Sequence, residues 1–363
     1  MTRCAVVGAG IVGLAIAREL RARGAEVVVL ERSGIGAGAS GVQPGGVRQQ
    51  WGTPVACRLA RESVSFWRTA DERLTSRVPL TLRRSGYLFV ARSDATLARL
   101  AENVRVQNEE GIPSIVVSPR QAAELVPGLR DDAIAGGAWC AEDGYFDRPQ
   151  AVVEAFADGL EIRHEEVRSV RRDGDGWTVA GSGFDAVVVA AGFESRTLLQ
   201  PLGVDLPVTA EDRYLFLSDP IEERLLEPLV VAPELAFAAK HLADGRMLAS
   251  DLAARGDPEH GRDRWRATIR AGVDELLPRL EYVSFSLLVR GVYDVTPDHQ
   301  PILGEVADGL HVACGFSGHG FMIAPAVGRI VAGAVLREHD DVLDVLGVDR
   351  FASGRLVPEP QLV

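Results

Sequence analysis

Three glycines near the start of the chain have the spacing that nucleotide phosphates require. Gly8, Gly10 and Gly13 form the pattern G-x-G-x-x-G directly after residues 3–7, which read as a short buried strand. Gly8 permits a tight turn, Gly10 lets a pyrophosphate approach the backbone, and Gly13 lets a helix pack closely on a strand. The free N–H groups and partial positive charge of a helix start attract phosphates. The pattern predicts a dinucleotide-binding turn.

An acidic residue lies where the ribose of a bound dinucleotide needs a hydrogen-bond acceptor. Residues 14–23 continue as a helical pattern, residues 26–30 read as a second strand, and Glu31 closes that strand. A carboxylate at this place can accept hydrogen bonds from ribose hydroxyls. Strand, turn, helix, strand and acid together predict a complete βαβ unit.

Charge and cysteine usage exclude several classes of protein. The net charge is −12, from 39 basic and 51 acidic residues, which argues against nucleic acid or an anionic membrane as a partner. The apolar run Cys4–Ala17 is too short to span a bilayer, and we interpret it as strand, turn and helix. The cysteines show no metal or disulfide spacing, so we expect reduced, mostly buried thiols, no metal site and a cytoplasmic protein. They are Cys4, Cys57, Cys140 and Cys314.

The elements that must position these residues are spread along the chain. The run at residues 184–191, apolar except for Asp185, suits the centre of a parallel sheet, and the segment 33–46, rich in Gly, Ala and Ser, is expected to be irregular. Helical patterns cover residues 55–74, 94–110, 263–277 and 321–338. Strand-like stretches cover residues 80–91, 160–172, 208–217, 235–250 and 282–293. We predict an α/β fold with a nucleotide-binding domain at 1–80, 138–208 and 288–345, a β-rich substrate domain at 81–137 and 209–287, and a C-terminal tail at 346–363.

The chain resembles the FAD-dependent D-amino acid oxidase (DAO) superfamily, in particular its sarcosine oxidase and glycine oxidase branch. Four stretches carry the likeness in chain order: 7–13 with Glu31-Arg32, 38–50, 187–192 and 291–321. The likeness is tight at both ends and loose between about residues 80 and 290. It implies a Rossmann-like FAD-binding domain of the glutathione reductase type beside a mixed β-sheet substrate-binding domain.

The resemblance also implies an extended, non-covalent FAD with its ADP part at the first glycine turn. Reduction of a flavin places negative charge on its ring, and the helix start that follows residues 315–320 can stabilise that charge. The residues expected to hold FAD are Gly8, Gly10, Ile11, Val12, Gly13, Glu31, Arg32, Ala39, Ser40, Gly46, Val47, Val167, Ala190, Ala191, Gly192, Gly291, Gly315, Gly318, His319, Gly320, Phe321 and Met322.

Four residues are candidates for contact with substrate. Arg48 aligns with the family arginine that grips the substrate carboxylate, a role suited to a bidentate guanidinium; a surface or flavin contact is the alternative. Tyr293 lies where the family places a polar side chain over the flavin, although a packed sheet tyrosine has the same sequence signature. His319 is interpreted mainly as a cofactor-loop residue and only weakly as an acid or base. Lys240, the only lysine, fits the pocket or the solvent equally well.

Three departures from the family pattern bear on the chemistry. Gly291 stands where some relatives attach FAD through a cysteine, so covalent attachment there is not expected. Met322 replaces a lysine that grips the carboxylate. Met247 aligns with a lysine credited with oxygen activation, and this loss weakens the case for an oxidase.

The expected reaction is oxidation of the CH–N bond of an amino acid or secondary amine. The neutral amine would lose hydride from its α-carbon to flavin N5, and the imine would hydrolyse; O2 or an electron carrier would re-oxidise the flavin. A catalytic subunit of a multimeric amine or imino acid dehydrogenase and a non-catalytic flavin-binding protein are the alternatives. An NAD-dependent dehydrogenase is disfavoured by residues 315–321. The sequence leaves the oligomeric state open.

Overall fold

The computed structural model describes residues 1–360. Within them the strands are β1 (Arg3–Val7), β2 (Glu26–Glu31), β3 (Gly46–Val47), β4 (Leu82–Arg83), β5 (Tyr87–Ala91), β6 (Ile115–Val117), β7 (Gly136–Cys140), β8 (Gly144–Phe146), β9 (Glu161–His164), β10 (Val170–Asp173), β11 (Gly176–Val179), β12 (Ser182–Phe184), β13 (Ala186–Val189), β14 (Thr209–Pro220), β15 (Leu229–Ala232), β16 (Phe237–His241), β17 (Arg246–Asp251), β18 (Leu287–Val295), β19 (Ile302–Ala307) and β20 (Leu310–Cys314).

The helices of the same residues are α1 (Ile11–Ala22), α2 (Ala39–Val42), α3 (Pro54–Trp67), α4 (Ala70–Arg73), α5 (Asp94–Glu109), α6 (Pro119–Leu125), α7 (Pro149–Ala157), α8 (Ser195–Leu199), α9 (Pro258–Leu276), α10 (Gly320–Val335), α11 (Asp341–Leu346) and α12 (Asp349–Ala352). Among residues 1–360, every helix is too short or too polar to cross a bilayer.

A six-stranded sheet carries the nucleotide motifs. Its strand order is β19-β20-β13-β1-β2-β9, and all neighbours run parallel except β19 and β20. The carboxyl ends of β1, β13 and β2 therefore lie side by side at one edge. Gly8 follows β1, Ala190 follows β13 and Glu31 ends β2. In open α/β sheets this edge is where ligands bind, so the fold brings three separate motifs to one place.

Both faces of this sheet are covered. Helices α1, α3 and α10 pack on one face around a core that includes Leu14, Val64 and Val327. The antiparallel sheet β10-β11-β12 covers the other face, and its Trp177 and Phe184 lie in one core with the outer sides of β1 and β13. Burial on both faces explains why β13, and β1 after Arg3, are apolar throughout. The predicted α/β class is confirmed.

An eight-stranded mixed sheet forms the second layer. Its order is β18-β14-β17-β16-β15-β5-β7-β6, with β15 and β5 parallel and the other neighbours antiparallel. One face packs on α9 through a core that includes Phe216, Phe237 and Trp265. Strand β18 belongs to this sheet, although the expected boundary at residue 288 assigned most of it to the nucleotide-binding domain. The small sheet β3-β8-β4 lies beside it.

Several expected elements are interrupted. The segment 33–46, expected to be irregular, contains helix α2 and the first residue of β3. The stretch 80–91 divides into β4 and β5 because Gly86 turns between them at φ +78°, and 235–250 is a hairpin that turns at Gly245, φ +87°. The two missed turns have one cause: a period-two pattern does not reveal a turn inside it.

The C-terminal residues pack against the protein body in part. Arg350 in α12 and Asp298 form a fully buried ion pair, with Nε and Oδ2 2.8 Å apart. Farther along, the side chain of Glu359 is buried, with 3% of its surface exposed. The stretch from 346, which the sequence suggested was a tail, thus contains anchored residues.

Candidate active site

One cavity of about 960 Å³ connects the two glycine-rich turns. At one end it is lined by Gly8, Gly10 and Glu31, and at the other by Gly318 and Met322. This volume is near the upper end of the range for ligand pockets, as an extended dinucleotide requires. Residues 8–13 and 315–321, far apart in sequence, therefore contribute to the same cavity.

The first turn requires glycine at positions 8 and 13, because a Cβ at either position would clash with the backbone. Gly8 has φ +107°, and a Cβ there would lie 2.5 Å from the carbonyl oxygen of Ala190. A Cβ on Gly13 would overlap the carbonyl oxygen of Gly8, so α1 packs directly on the turn. The backbone N–H of Ile11 donates to Ser40 Oγ at 3.0 Å. These contacts form a cradle that fits a pyrophosphate.

The acid at the end of β2 is held in place by the backbone. Glu31 accepts hydrogen bonds from the N–H groups of Ala9, at 2.9 Å, and Ser33, at 2.8 Å, and it lines the cavity. Arg32 lies beside it and pairs with Glu194, with Nη2 and Oε2 2.7 Å apart. Val167 lines the same end. The arrangement suits the ribose and adenine of a dinucleotide.

At the other end, helix α10 points its N-terminus into the cavity. The helix begins at Gly320, and His319 occupies the N-cap position without a side-chain cap hydrogen bond. Burial, and then the charge of Arg48, lowers the pKa of His319 well below its usual value. Its Nε2 has no hydrogen-bond partner among residues 1–360, as expected for a buried atom at a ligand site. A neutral His319 is a poor acid.

Most residues expected to hold the cofactor line this cavity. Of that set, Gly13, Val47 and Gly315 do not. Gly13 acts through helix packing, Val47 belongs to the core around α10, and the N–H of Gly315 donates to Asp294 Oδ2 at 2.7 Å. Gly291 lines the cavity, whereas none of the four cysteines, all within the described residues, does so. A thioether link to FAD therefore has no donor in the cavity wall.

One face of the eight-stranded sheet lines the cavity. Because side chains alternate along strands, neighbouring strands present register partners to the cavity. Lys240 lies opposite Leu248, and Arg213 lies opposite Gly291, and all four line it. The sequence did not single out Arg213, Leu248 or the cavity residue Tyr87, although their alternation with core residues carried a signal.

The residue aligned with an oxygen-activating lysine does not face the cavity. Met247 packs in the core on the other side of the sheet, with no exposed surface. Its neighbour Leu248 faces the cavity instead. Residues 247–248 of β17 therefore supply no cation to the cavity, and Lys240 enters it from the neighbouring strand β16.

Arg48 is buried in the cavity wall. Its guanidinium carbon lies 3.7 Å from the ring centroid of Trp51, and Nη1 donates to the carbonyl of Gln50 at 3.3 Å. Burial lowers the pKa of Arg48 to about 10, opposed mainly by the charge of Glu359. The ring of Trp51 also lies 4.1 Å from that of His319. This chain of contacts places the guanidinium close to the start of α10.

Lys240 lies in the pocket and not in solvent, which resolves the two alternatives. Its side chain is 1% exposed, Nζ donates to the carbonyl of Pro44 at 2.9 Å, and Nζ lies 4.2 Å from the ring centroid of Tyr145. Burial, and then the charge of Arg224, lowers the pKa of Lys240 to about 7. Within residues 1–360 it forms no ion pair. The amine is therefore easily deprotonated.

Tyr293 covers the glycine turn before α10. A Cβ on Gly318 would overlap the Tyr293 ring, which lies 5.1 Å from the guanidinium carbon of Arg213. Burial raises the pKa of Tyr293, so its hydroxyl stays protonated. The residue is thus a neutral polar group in the cavity beside the start of α10.

The fold and cavity define a two-layer nucleotide-binding oxidoreductase. A sequence profile of the family described as "FAD dependent oxidoreductase" (DAO) matches residues 3–334. The chain belongs to this family: it is an enzyme, and FAD is its cofactor. The cradle, the open helix start and the unpartnered His319 Nε2 fit that group.

Individual proteins resemble the chain over nearly its whole length. Glycine oxidase of Pseudomonas aeruginosa is 29% identical, across 91% of this chain and 93% of that protein. A 4-methylaminobutanoate oxidase (formaldehyde-forming) of Paenarthrobacter nicotinovorans is 28% identical across 91% of this chain, which spans only 43% of that longer relative. The structure of L-proline dehydrogenase from P. horikoshii superposes with a TM-score of 0.89 at 26% identity, covering 98% of this chain and 99% of that one.

Proposed function

We propose that the protein oxidises the CH–N bond of an amino acid or secondary amine to an imine. The observation that carries the proposal is the position of Arg48 in the wall of the cofactor cavity, stacked on Trp51 beside the start of α10. Relatives named as a glycine oxidase, a methylaminobutanoate oxidase and a proline dehydrogenase support the substrate class.

Arg48 would bind the carboxylate of the substrate. Its buried guanidinium is stacked on one face by an indole, which limits its rotation. A planar guanidinium matches the two oxygens of a carboxylate in a bidentate contact. A charge-assisted hydrogen bond of this kind contributes about 1.5–3 kcal/mol. Tyr293 and Leu248 would border the side chain of the substrate from the sheet above.

FAD, when bound, supplies the acceptor for the hydride that leaves the carbon next to nitrogen. The chain itself must present that nitrogen unprotonated, because an ammonium has no lone pair to form the imine. Lys240 is suited to accept the proton, since burial lowers its pKa to about 7 and it lines the cavity. The imine product would hydrolyse to a carbonyl compound and an amine or ammonia.

The electron acceptor is a second part of the proposal. Met247 occupies the strand position credited with oxygen activation, and neither it nor its neighbour Leu248 carries an ammonium. Lys240 donates to a backbone carbonyl. This arrangement favours a dehydrogenase that passes electrons to a carrier over an oxidase that uses O2. A catalytic subunit of a multimeric dehydrogenase would have the same cavity.

Anaerobic titration tests the proposed function directly. The purified protein with FAD is mixed with N-methyl, cyclic and primary amino acids, and flavin absorbance is followed. We expect at least one compound of this panel to bleach the flavin, and we expect a dye to restore the colour faster than O2. Failure of every amine to bleach bound FAD would contradict the proposal and favour a non-catalytic flavoprotein.

A further inference from the structure

The C-terminal segment is fastened to the turn that precedes β19. The N–H of Glu359 donates to the carbonyl of Asp298 at 3.0 Å, and the N–H of Val357 donates to Asp298 Oδ2 at 3.3 Å. Asp298 itself accepts two hydrogen bonds from the Arg350 guanidinium: Nε donates to Oδ2 at 2.8 Å, and Nη2 donates to Oδ1 at 3.0 Å. A buried ion pair therefore determines where Glu359 lies.

The carboxylate of Glu359 binds the segment that enters α3. Oε1 accepts from the N–H of Gly52 at 2.7 Å, and Oε2 accepts from Thr53 Oγ1 at 2.8 Å. Thr53 in turn accepts from Gln300 Nε2 at 2.9 Å. Thr53 stands at the N-cap of α3 and makes no side-chain cap hydrogen bond; its hydroxyl donates to Glu359. The acid thus ties residues 52–53 to the rest of the C-terminal network.

These residues are joined directly to the Arg48 contacts. Trp51, which stacks on the guanidinium, precedes Gly52, and its Nε1 donates to the carbonyl of Arg48 at 3.2 Å. On the other side of this loop, the N–H of Gln49 donates to Asp143 Oδ1 at 2.8 Å. The loop at residues 48–53 is therefore held by two buried acids: Asp143 binds near its start and Glu359 binds its end.

Glu359 also acts on Arg48 through charge. Arg48 faces titratable groups from several elements: Glu359, Tyr87, Asp143, Tyr293 and His319. Of these, Glu359 has the largest effect in keeping the guanidinium protonated against the cost of burial. Glu359 is 3% exposed, so water screens its charge interaction with Arg48 little.

We infer that Glu359 is a positioning residue of the substrate site: it holds residues 52–53, and through Trp51 the guanidinium of Arg48, so that the C-terminal segment completes the carboxylate-binding site. This inference rests on the proposed role of Arg48.

Binding of a simple carboxylate tests the inference without turnover. Propionate and its uncharged counterpart propionamide are titrated into the FAD-loaded full chain by calorimetry, for the wild type, Glu359→Gln, Arg48→Met and the exposed control Glu281→Gln. We expect Glu359→Gln to raise the Kd for propionate about tenfold and to leave propionamide unchanged. Thr53→Val, which removes one donor to Glu359 and retains its charge, should have a smaller effect and serves if Glu359→Gln does not fold.

The outcomes separate the inference from the proposed function. If Arg48→Met weakens propionate binding and neither Glu359→Gln nor Thr53→Val does, Glu359 is not a positioning residue, whereas the role of Arg48 stands. If Glu359→Gln weakens both ligands equally, its role is only structural and the inference is wrong. If Arg48→Met leaves propionate binding unchanged, both ideas fail.

The pH dependence gives a readout that a merely structural role would not change. In the wild type, propionate affinity should fall as the pH approaches the pKa of Arg48, about 10. Removing the negative charge of Glu359 lowers that pKa further, so the fall should begin at lower pH in Glu359→Gln. Identical alkaline limbs in the two proteins would overturn the electrostatic part of the inference.

Discussion

The guanidinium carbon of Arg48 lies 3.7 Å from the centre of the Trp51 ring, inside a cavity that also receives the start of helix α10. Stacking on indole favours a planar guanidinium over an ammonium, because the flat cation can contact the ring over its whole face. The relationship makes Arg48 the most informative residue to alter.

Replacing Arg48 by lysine should weaken substrate binding more than it slows turnover. Lysine retains charge but loses the bidentate fork and the stacking, so we expect KM for an amino acid substrate to rise about 10- to 100-fold. An amine that lacks the carboxylate should show little change. Steady-state kinetics on such a matched pair measures the effect, with Arg120→Lys, an exposed site, as control. Equal losses for both substrates would contradict carboxylate recognition.

Gly8→Ala should abolish FAD binding. The substitution combines a strained φ of +107° with a Cβ 2.5 Å from the carbonyl oxygen of Ala190. Gly24→Ala provides a matched control, since Gly24 has φ +86° but open space around its Cβ position. Flavin content after purification and thermal unfolding distinguish the two. We expect Gly24→Ala to lower Tm by a few degrees and to retain FAD; equal FAD retention in both variants would place the phosphates elsewhere.

Lys240→Met should stabilise the protein at low pH. The folded-state pKa of about 7 lies below the usual value of 10.5, so between these pH values the unfolded chain binds more protons and stability rises with pH. Below pH 7 the buried charge costs on the order of 5 kcal/mol, which the methionine variant avoids.

Denaturant unfolding between pH 6 and 10 measures this difference. The wild type should gain stability across the window, whereas Lys240→Met should not. Leu248→Met changes the register partner without adding or removing a titratable group, and it should retain the wild-type pH profile. A wild-type profile that is flat from pH 7 to 10 would show that Lys240 titrates normally.

The buried pair of Arg350 and Asp298 should be costly to break. Asp298→Asn leaves the guanidinium without its counter-charge, and we expect a loss of about 3–5 kcal/mol in the free energy of unfolding. Adding Arg350→Met should recover part of the loss. Asp132→Asn, in the exposed pair with Arg130, should leave stability nearly unchanged. Recovery in the double variant, measured by chemical denaturation, is the decisive comparison.

The same pair predicts the acid sensitivity of the C-terminal segment. Burial alone would raise the pKa of Asp298, but hydrogen bonds from Arg350 and its charge outweigh burial and hold the pKa below its usual value. The stability from this pair is therefore complete above the usual carboxyl pKa and is lost as pH falls through the lowered value. Asp298→Asn should unfold with a weaker dependence on pH in that acid range; the same slope as the wild type would contradict the assignment.

Local features of the sequence were sufficient for the first βαβ unit and for the start of α10. Their signals are short-range: glycine spacing, an apolar strand and a helical period lie within about thirty residues. The hairpin of β16 and β17 and the break at Gly86 were missed, because alternation alone continues through a turn. Strand β15 was missed as well, since four residues give too little pattern.

The sequence by itself determined the nucleotide turn, the α/β class and the family likeness, since each depends on residue types close together in the chain. Only the tertiary structure decided that Lys240 enters the cavity, that Met247 turns away from it and that Glu359 reaches the Arg48 loop. A strand residue faces one side or the other according to register, and a C-terminal acid finds its partners some 300 residues away. Both depend on packing between distant segments, and no local pattern encodes them.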